Sequence, residues 1–125
     1  MRENELGEAI LGCAMKVHSA LGPGLLESTY EACLLHELSK SGLRSARQLA
    51  LPVIYDGMTL DAGYRIDLLV EDLVIVELKV VEKFLPIHTA QLLSYLKLSN
   101  RKLGYVLNFN VLHMRNGIKR VVNQI

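Results

Sequence analysis

Three charged residues interrupt runs that are otherwise apolar. Asp67 lies in Tyr64-Arg65-Ile66-Asp67-Leu68-Leu69-Val70, and Glu77 and Lys79 lie in the run from Leu73 to Val81. That second run reads as a strand, whose side chains alternate between faces. Val74, Val76, Leu78 and Val80 then share one face, and Ile75, Glu77, Lys79 and Val81 share the other. Glu77 and Lys79 project the same way from a strand that is almost continuously apolar, as a central strand buried on both faces would be. A lone buried charge is costly, so the pair must be bridged, hydrated or bound to a metal ion. A salt bridge within the sheet is one reading. In the other, Asp67 joins them, and two carboxylates with the Leu78 carbonyl offer hard oxygen ligands for Mg²⁺ or Mn²⁺. Such an ion can polarise a phosphoryl oxygen and lower the pKa of a bound water. Lys79 could orient that water or stabilise charge developing at phosphorus.

Whether Asp67 can meet Glu77 is a question of register. A two-residue turn at Glu71-Asp72 pairs Asp67 with Val76 and sends the carboxylates to opposite faces. A connection with an odd number of residues, or a bulge, sets Asp67 opposite Glu77. The metal reading therefore requires an irregular or odd-length turn.

Two helical segments carry further polar residues on faces that should be apolar. Glu27 falls on the stripe of Tyr30, Leu34 and Leu38, where it is either a partner of the helix N-terminal dipole or a third acidic group for the metal. In a later helix His88, Gln91, Tyr95 and Leu98 share a face. Gln91 and Tyr95, one turn apart, could hydrogen-bond a phosphate, a water or Lys79; His88 reads as an ordinary polar residue at the core edge. Lys97, Arg101 and Lys102, and Arg115, Lys119 and Arg120, could touch a phosphate backbone but read as solvated surface. His18, His36 and His113 lack zinc-site spacing, and there is no phosphate-binding glycine loop or nucleophile elbow.

The elements that must position these residues follow from periodicity and turn signals. Glu5 to Leu21 and Leu25 to Lys40 read as helices separated by Gly22-Pro23-Gly24, with Gly42 a stop for the second. Gln48 to Tyr55, Thr59 to Val70 and Leu73 to Val81 read as strands, with a turn at Asp56-Gly57. Pro86 opens a helix over Ile87 to Leu98, Leu103 to Phe109 is another strand, and Asn116-Gly117 reads as the turn of a last hairpin reaching Val122. The order ααβββαβ(β) predicts an α/β fold, a mixed central sheet flanked by helices, in a single domain spanning residues 1–125.

Composition is consistent with that fold. The 125 residues are 50% hydrophobic and 22% charged, in the range of a globular chain, and the net charge of +1 gives no global field for nucleic acid, only room for a local basic patch. The positive mean hydropathy suggests apolar surface covered by a partner, most simply in a homodimer. Cys13 and Cys33 sit in apolar helical patterns and no secretory signal is evident, so reduced thiols in a cytoplasmic protein are expected. No apolar run approaches the roughly 20 residues of a membrane span.

The chain resembles the GxxExxY proteins. Gly24-Leu25-Leu26-Glu27-Ser28-Thr29-Tyr30 matches the naming motif. Val17-His18, Leu21-Gly22-Pro23-Gly24, Tyr64-Arg65-Ile66-Asp67, Val76-Glu77-Leu78-Lys79, Gln91-Leu92-Leu93-Ser94-Tyr95-Leu96 and Leu107-Asn108-Phe109 are similar to further family segments. The similarity runs from about Leu6 to Val122. That family is placed in the PD-(D/E)XK nuclease-like superfamily, so the resemblance implies a restriction-endonuclease-like core with acidic metal ligands on two adjacent strands. By that likeness Asp67 and Glu77 match the acidic positions and Lys79 the lysine. Glu27 matches an extra helical carboxylate of some members, and Gln91 and Tyr95 match the Q-x-x-x-Y motif of RecB-like nucleases. Ile66 stands where the superfamily name has proline. The implied activity is Mg²⁺- or Mn²⁺-dependent hydrolysis of DNA, or of RNA. The alternatives are a non-catalytic module binding nucleic acid or protein, and a dimeric subunit of a larger assembly. By this resemblance the 125 residues are expected to be close to the minimal core, without a separate DNA-recognition domain among them.

Overall fold

In the computed structural model, which describes residues 2–124, five strands form a mixed sheet with helices on both faces. The chain runs α1 (Glu3–Leu21), α2 (Glu27–Lys40), β1 (Ser45–Ala50), β2 (Val53–Tyr55), β3 (Met58–Leu60), β4 (Arg65–Val70), β5 (Val74–Lys79), α3 (Pro86–Ser99), β6 (Leu103–Asn108), a 3-10 turn (Met114–Gly117) and β7 (Ile118–Val122). The sheet order is β1-β4-β5-β6-β7. Only β5 and β6 are parallel, and α3 is the crossover between them, as parallel neighbours require.

The alternation anticipated for β5 divides the core. Val74, Val76 and Leu78 pack with Leu68, Val70, Tyr105 and Leu107 against α1 and α2, through Leu6, Ile10, Ala14, Leu34 and Leu38. Ile75 packs with Leu69 and Val106 on the opposite face, against Leu92, Tyr95 and Leu96 of α3. Both cysteines are free, Cys13 buried and Cys33 partly so. No helix among the described residues is long and apolar enough to cross a membrane.

Two of the predicted strands are each split. Gln48 to Tyr55 breaks at Leu51-Pro52, where proline has no N–H for a ladder. Thr59 to Val70 breaks over residues 61–64, where Gly63 takes a φ of 80°. The pieces β2 and β3 form a separate two-stranded ribbon around the anticipated Asp56-Gly57 turn, both residues having positive φ as a type I′ turn demands. The ribbon leaves Ile54, Tyr55, Met58 and Leu60 exposed. The last hairpin also differs from the sequence reading. Asn116-Gly117 is not its two-residue turn; both belong to the 3-10 segment, and β6 and β7 are joined by the longer stretch 109–117. Gly117 is there for close packing, since a Cβ would collide with the Asn108 carbonyl oxygen.

The Gly-Pro-Gly segment between α1 and α2 is closed by Tyr30. Its ring is fully buried and stacks on Phe109 at a 4.6 Å centroid distance. Its hydroxyl donates to the Gly22 carbonyl at 2.5 Å and accepts from the Leu25 N–H at 3.1 Å. His18, also buried, donates its Nε2 proton to the Val111 carbonyl at 2.6 Å, tying α1 to the segment after β6. Tyr30 thus closes the loop ahead of α2, whose first residue is Glu27, and locks the helix to the core. Replacing Tyr30 with Phe keeps the stacking but leaves two backbone groups without their partner. It should lower unfolding stability by about 1–3 kcal/mol in urea titrations.

Candidate metal centre

The turn from β4 to β5 has the odd length that the metal reading required. Val70 pairs with Val74, Leu69 with Ile75 and Leu68 with Val76, so Glu71, Asp72 and Leu73 form a three-residue connection. Glu71 and Asp72 both have positive φ, 51° and 57°, and the Leu73 N–H donates to the Val70 carbonyl at 3.0 Å. Leu73 is the extra residue that shifts the register by one. Neither non-glycine residue favours this conformation, and each is clamped. Glu71 accepts from the Arg44 N–H at 2.7 Å and gives its own N–H to the Arg44 carbonyl at 2.8 Å. Arg101 donates to the Asp72 carboxylate at 2.6 Å and to its carbonyl at 3.2 Å.

In this register the next pair is Asp67 and Glu77, and there the regular ladder stops. Each carboxylate takes a backbone N–H of the opposing strand. The Asp67 N–H donates to Glu77 Oε2 at 2.8 Å, and the Leu78 N–H donates to Asp67 Oδ2 at 2.9 Å. Because the N–H and C=O of one strand residue point to the same side, the Leu78 carbonyl is also directed toward β4, beside Asp67. Glu77 is only 5% exposed and Asp67 is half-buried. Lys79 extends from the same face of β5 and donates to Gln91 Oε1 of α3 at 3.5 Å. Tyr95, one turn beyond Gln91, is buried, and its ring lies 6.1 Å from that of Tyr64 at a tilt of 57°.

The electrostatics are those of crowded carboxylates. Glu77 is pushed up to about 8 by burial first and the Asp67 charge second; the Asp67 N–H and Lys79 oppose this only in part. Asp67 is raised by burial and then by Glu31, against the Leu78 N–H, Gln48 and Lys79. Glu27 stays exposed at the rim, yet its carboxyl is raised, by partial desolvation and then by Asp67, while Lys79 lowers it. Tyr95 is raised by burial, then by the charges of Glu77 and Asp67.

The structure thus brings Asp67, Glu77, Leu78, Lys79, Gln91 and Tyr95 to one end of the sheet, with Glu27 near enough to feel two of their charges. Among the described residues no three His, Cys, Asp or Glu side chains are gathered closely enough to form a metal cage unaided. The donor chemistry still fits a divalent cation, since two carboxylates and a carbonyl are all hard oxygens and the acidic groups lack sufficient positive charge. The largest groove described, about 610 Å³, is lined by Met15, His18 and residues 112–115 and includes none of these groups.

Three participants escape a reading of the sequence. Glu31, one turn after Glu27, is only 5% exposed; it accepts from Arg47 Nε and from Gln48 Nε2, each at 3.0 Å. Gln48 stands opposite Asp67 in β1, with a φ of 49° that costs a non-glycine residue about 1–2 kcal/mol. Buried Asn108 pairs its side chain with both backbone groups of Val81, at 3.1 and 2.9 Å, and so fixes the chain leaving Lys79. For Glu31 the signal is its i, i+4 spacing from Glu27; Asn108 stands in the family-like segment Leu107-Asn108-Phe109, which by itself assigns it no role.

A model of the PD-(D/E)XK nuclease superfamily matches residues 4–121. The chain belongs to this superfamily. The α/β architecture, with its mixed five-stranded sheet between helices, is consistent with the restriction-endonuclease-like fold. Neither the search of curated proteins nor that of solved structures returned a match.

Ionisation of Glu77 should be visible in stability. Its folded-state pKa is near 8 against an ordinary 4.5, so the folded protein holds the proton more tightly than the unfolded chain. Stability of the metal-free protein is then greatest below pH 4.5, as far as this group decides it, and falls as pH rises through 8. Asp67 and Glu27, also raised, act in the same direction. Melting temperature at pH 8 should lie several degrees below that at pH 5, and Glu77→Gln should flatten the difference.

Proposed function

We propose that this superfamily member is a Mg²⁺- or Mn²⁺-dependent nuclease that hydrolyses phosphodiester bonds in DNA, or in RNA. The observation that carries the reading is the paired geometry of Asp67 and Glu77: two carboxylates set face to face by an odd-length turn, with Lys79 beside them. Asp67, Glu77 and the Leu78 carbonyl would hold the ion, with Glu27 completing the acidic set from the rim. Bound there, it supplies Lewis-acid polarisation of the phosphodiester and positive charge among the carboxylates.

The chain's own groups do the rest. Lys79 donates to Gln91 Oε1 at 3.5 Å, and its charge acts on both Asp67 and Glu77; from there it can donate to a phosphoryl oxygen and orient a water for attack on phosphorus. Water adds to phosphorus and one P–O bond breaks, leaving a phosphate monoester and a free hydroxyl. Gln91 keeps Lys79 from swinging to solvent, and the Tyr95 hydroxyl, protonated throughout the neutral range, is a hydrogen-bond donor beside Glu77. The exposed apolar side chains of the β2–β3 ribbon offer surface that a homodimer would bury.

Wild-type protein with Mn²⁺ or Mg²⁺ should cut plasmid and single-stranded DNA. Lys79→Ala should slow cleavage by about 10²–10³-fold while Mn²⁺ binding by calorimetry survives. Asp67→Ala should lose both. Equal cleavage by all three proteins would rule the mechanism out. Mn²⁺ binding without cleavage of any nucleic acid would favour a non-catalytic binding module instead.

A further inference from the structure

Gln48 does something that a regular strand residue could not. Consecutive residues of a strand point to opposite faces, yet Arg47 and Gln48 reach the same Glu31 carboxylate, one on Oε1 and the other on Oε2. The left-handed φ of 49° at Gln48 turns its side chain onto the side of its neighbour. The pairs on either side, Arg47 with Leu68 and Leu49 with Ile66, keep the regular register, so the break is confined to the residue opposite Asp67. The displaced amide also donates from Nε2 to Asp67 Oδ1 at 3.4 Å. Arg65 secures the Gln48 carbonyl at 3.5 Å.

We infer that Gln48 is the positioning residue for Asp67, its amide bridging the carboxylate to an anchored Glu31–Arg47 ion pair on α2 and β1. Asp67 is then held at both oxygens, Oδ1 by Gln48 and Oδ2 by the Leu78 N–H. Each oxygen keeps a lone pair for a cation. Glu31 is anchored in its turn by Arg47, so the chain Arg47–Glu31–Gln48–Asp67 ties the orientation of the β4 carboxylate to α2, the helix that also carries Glu27. The geometric part of this inference is independent of metal; its consequence for ion affinity rests on the proposed function.

The variant Gln48→Gly separates the amide from the backbone kink, because glycine takes a positive φ without penalty. Gln48→Asn is a second variant that tolerates the same φ but is one methylene too short to span both carboxylates. Backbone amide exchange is followed by NMR on metal-free protein, with the Val76 amide in the regular ladder as internal reference, and Mn²⁺ affinity is measured by calorimetry. With Asp67 released, the Leu78 amide should exchange at least about tenfold faster relative to Val76 in both variants. Mn²⁺ should bind roughly 10–100-fold more weakly. If Leu78 exchange is unchanged in both variants, Gln48 serves only the kink and the inference is overturned. If Leu78 is loosened but wild-type protein binds no Mn²⁺, positioning of Asp67 by Gln48 stands and the metal reading of the site falls.

Discussion

Two carboxylates, each accepting a backbone N–H from the opposite strand, replace one rung of the β4–β5 ladder. Everything else at this end of the sheet answers to that exchange. A regular rung would leave Asp67 and Glu77 facing each other with their charges in an apolar layer. Each carboxylate instead satisfies a backbone donor that the interrupted ladder would otherwise orphan. The exchange does not neutralise the charges. Glu77 remains buried beside a second acid, and only protonation or a cation relieves it.

The supporting structure holds this unfavourable arrangement from three sides. The β4–β5 turn, with two non-glycine residues at positive φ clamped by Arg44 and Arg101, sets the register. From α2, Glu31 reaches Asp67 through Gln48, and Tyr30 and His18 lock the neighbouring loops so that α2 begins at Glu27. From α3, Gln91 holds Lys79, while Asn108 fixes the segment between β5 and that helix. Strained backbone at Gln48 stands opposite Asp67, the pattern expected where strain is retained for function, while the strain at Glu71 and Asp72 lies in the turn that sets the register of the pair.

Much of this was legible in the sequence because it is local. Period-two alternation in β5 placed Glu77 and Lys79 together, helical spacing gave α1, α2 and α3, and parity stated what the 70–74 connection had to be. The odd-length turn with Leu73 as its extra residue met that condition. What stayed hidden depends on partners distant in the chain. Gln48 looks like any polar strand residue until its register against Asp67, 19 positions later, is known. Glu31 looks like helix surface until Arg47 and Gln48 close on it. The 3-10 segment before β7 follows from tertiary packing, with Gly117 against the Asn108 carbonyl, and this packing overrides turn signals such as Asn116-Gly117.

The acidic pair as a cation site is tested most directly by diffraction from crystals soaked in Mn²⁺, with anomalous scattering locating the ion. An ion held by Asp67 and Glu77 gives a peak between the two side chains, at roughly 2.0–2.6 Å from at least one oxygen of each, with the Leu78 carbonyl turned toward it. Crystals that take up Mn²⁺ elsewhere, or nowhere, while both carboxyl groups remain on the opposing backbone N–H groups, would show that the pair is a structural device of the sheet and not a metal centre.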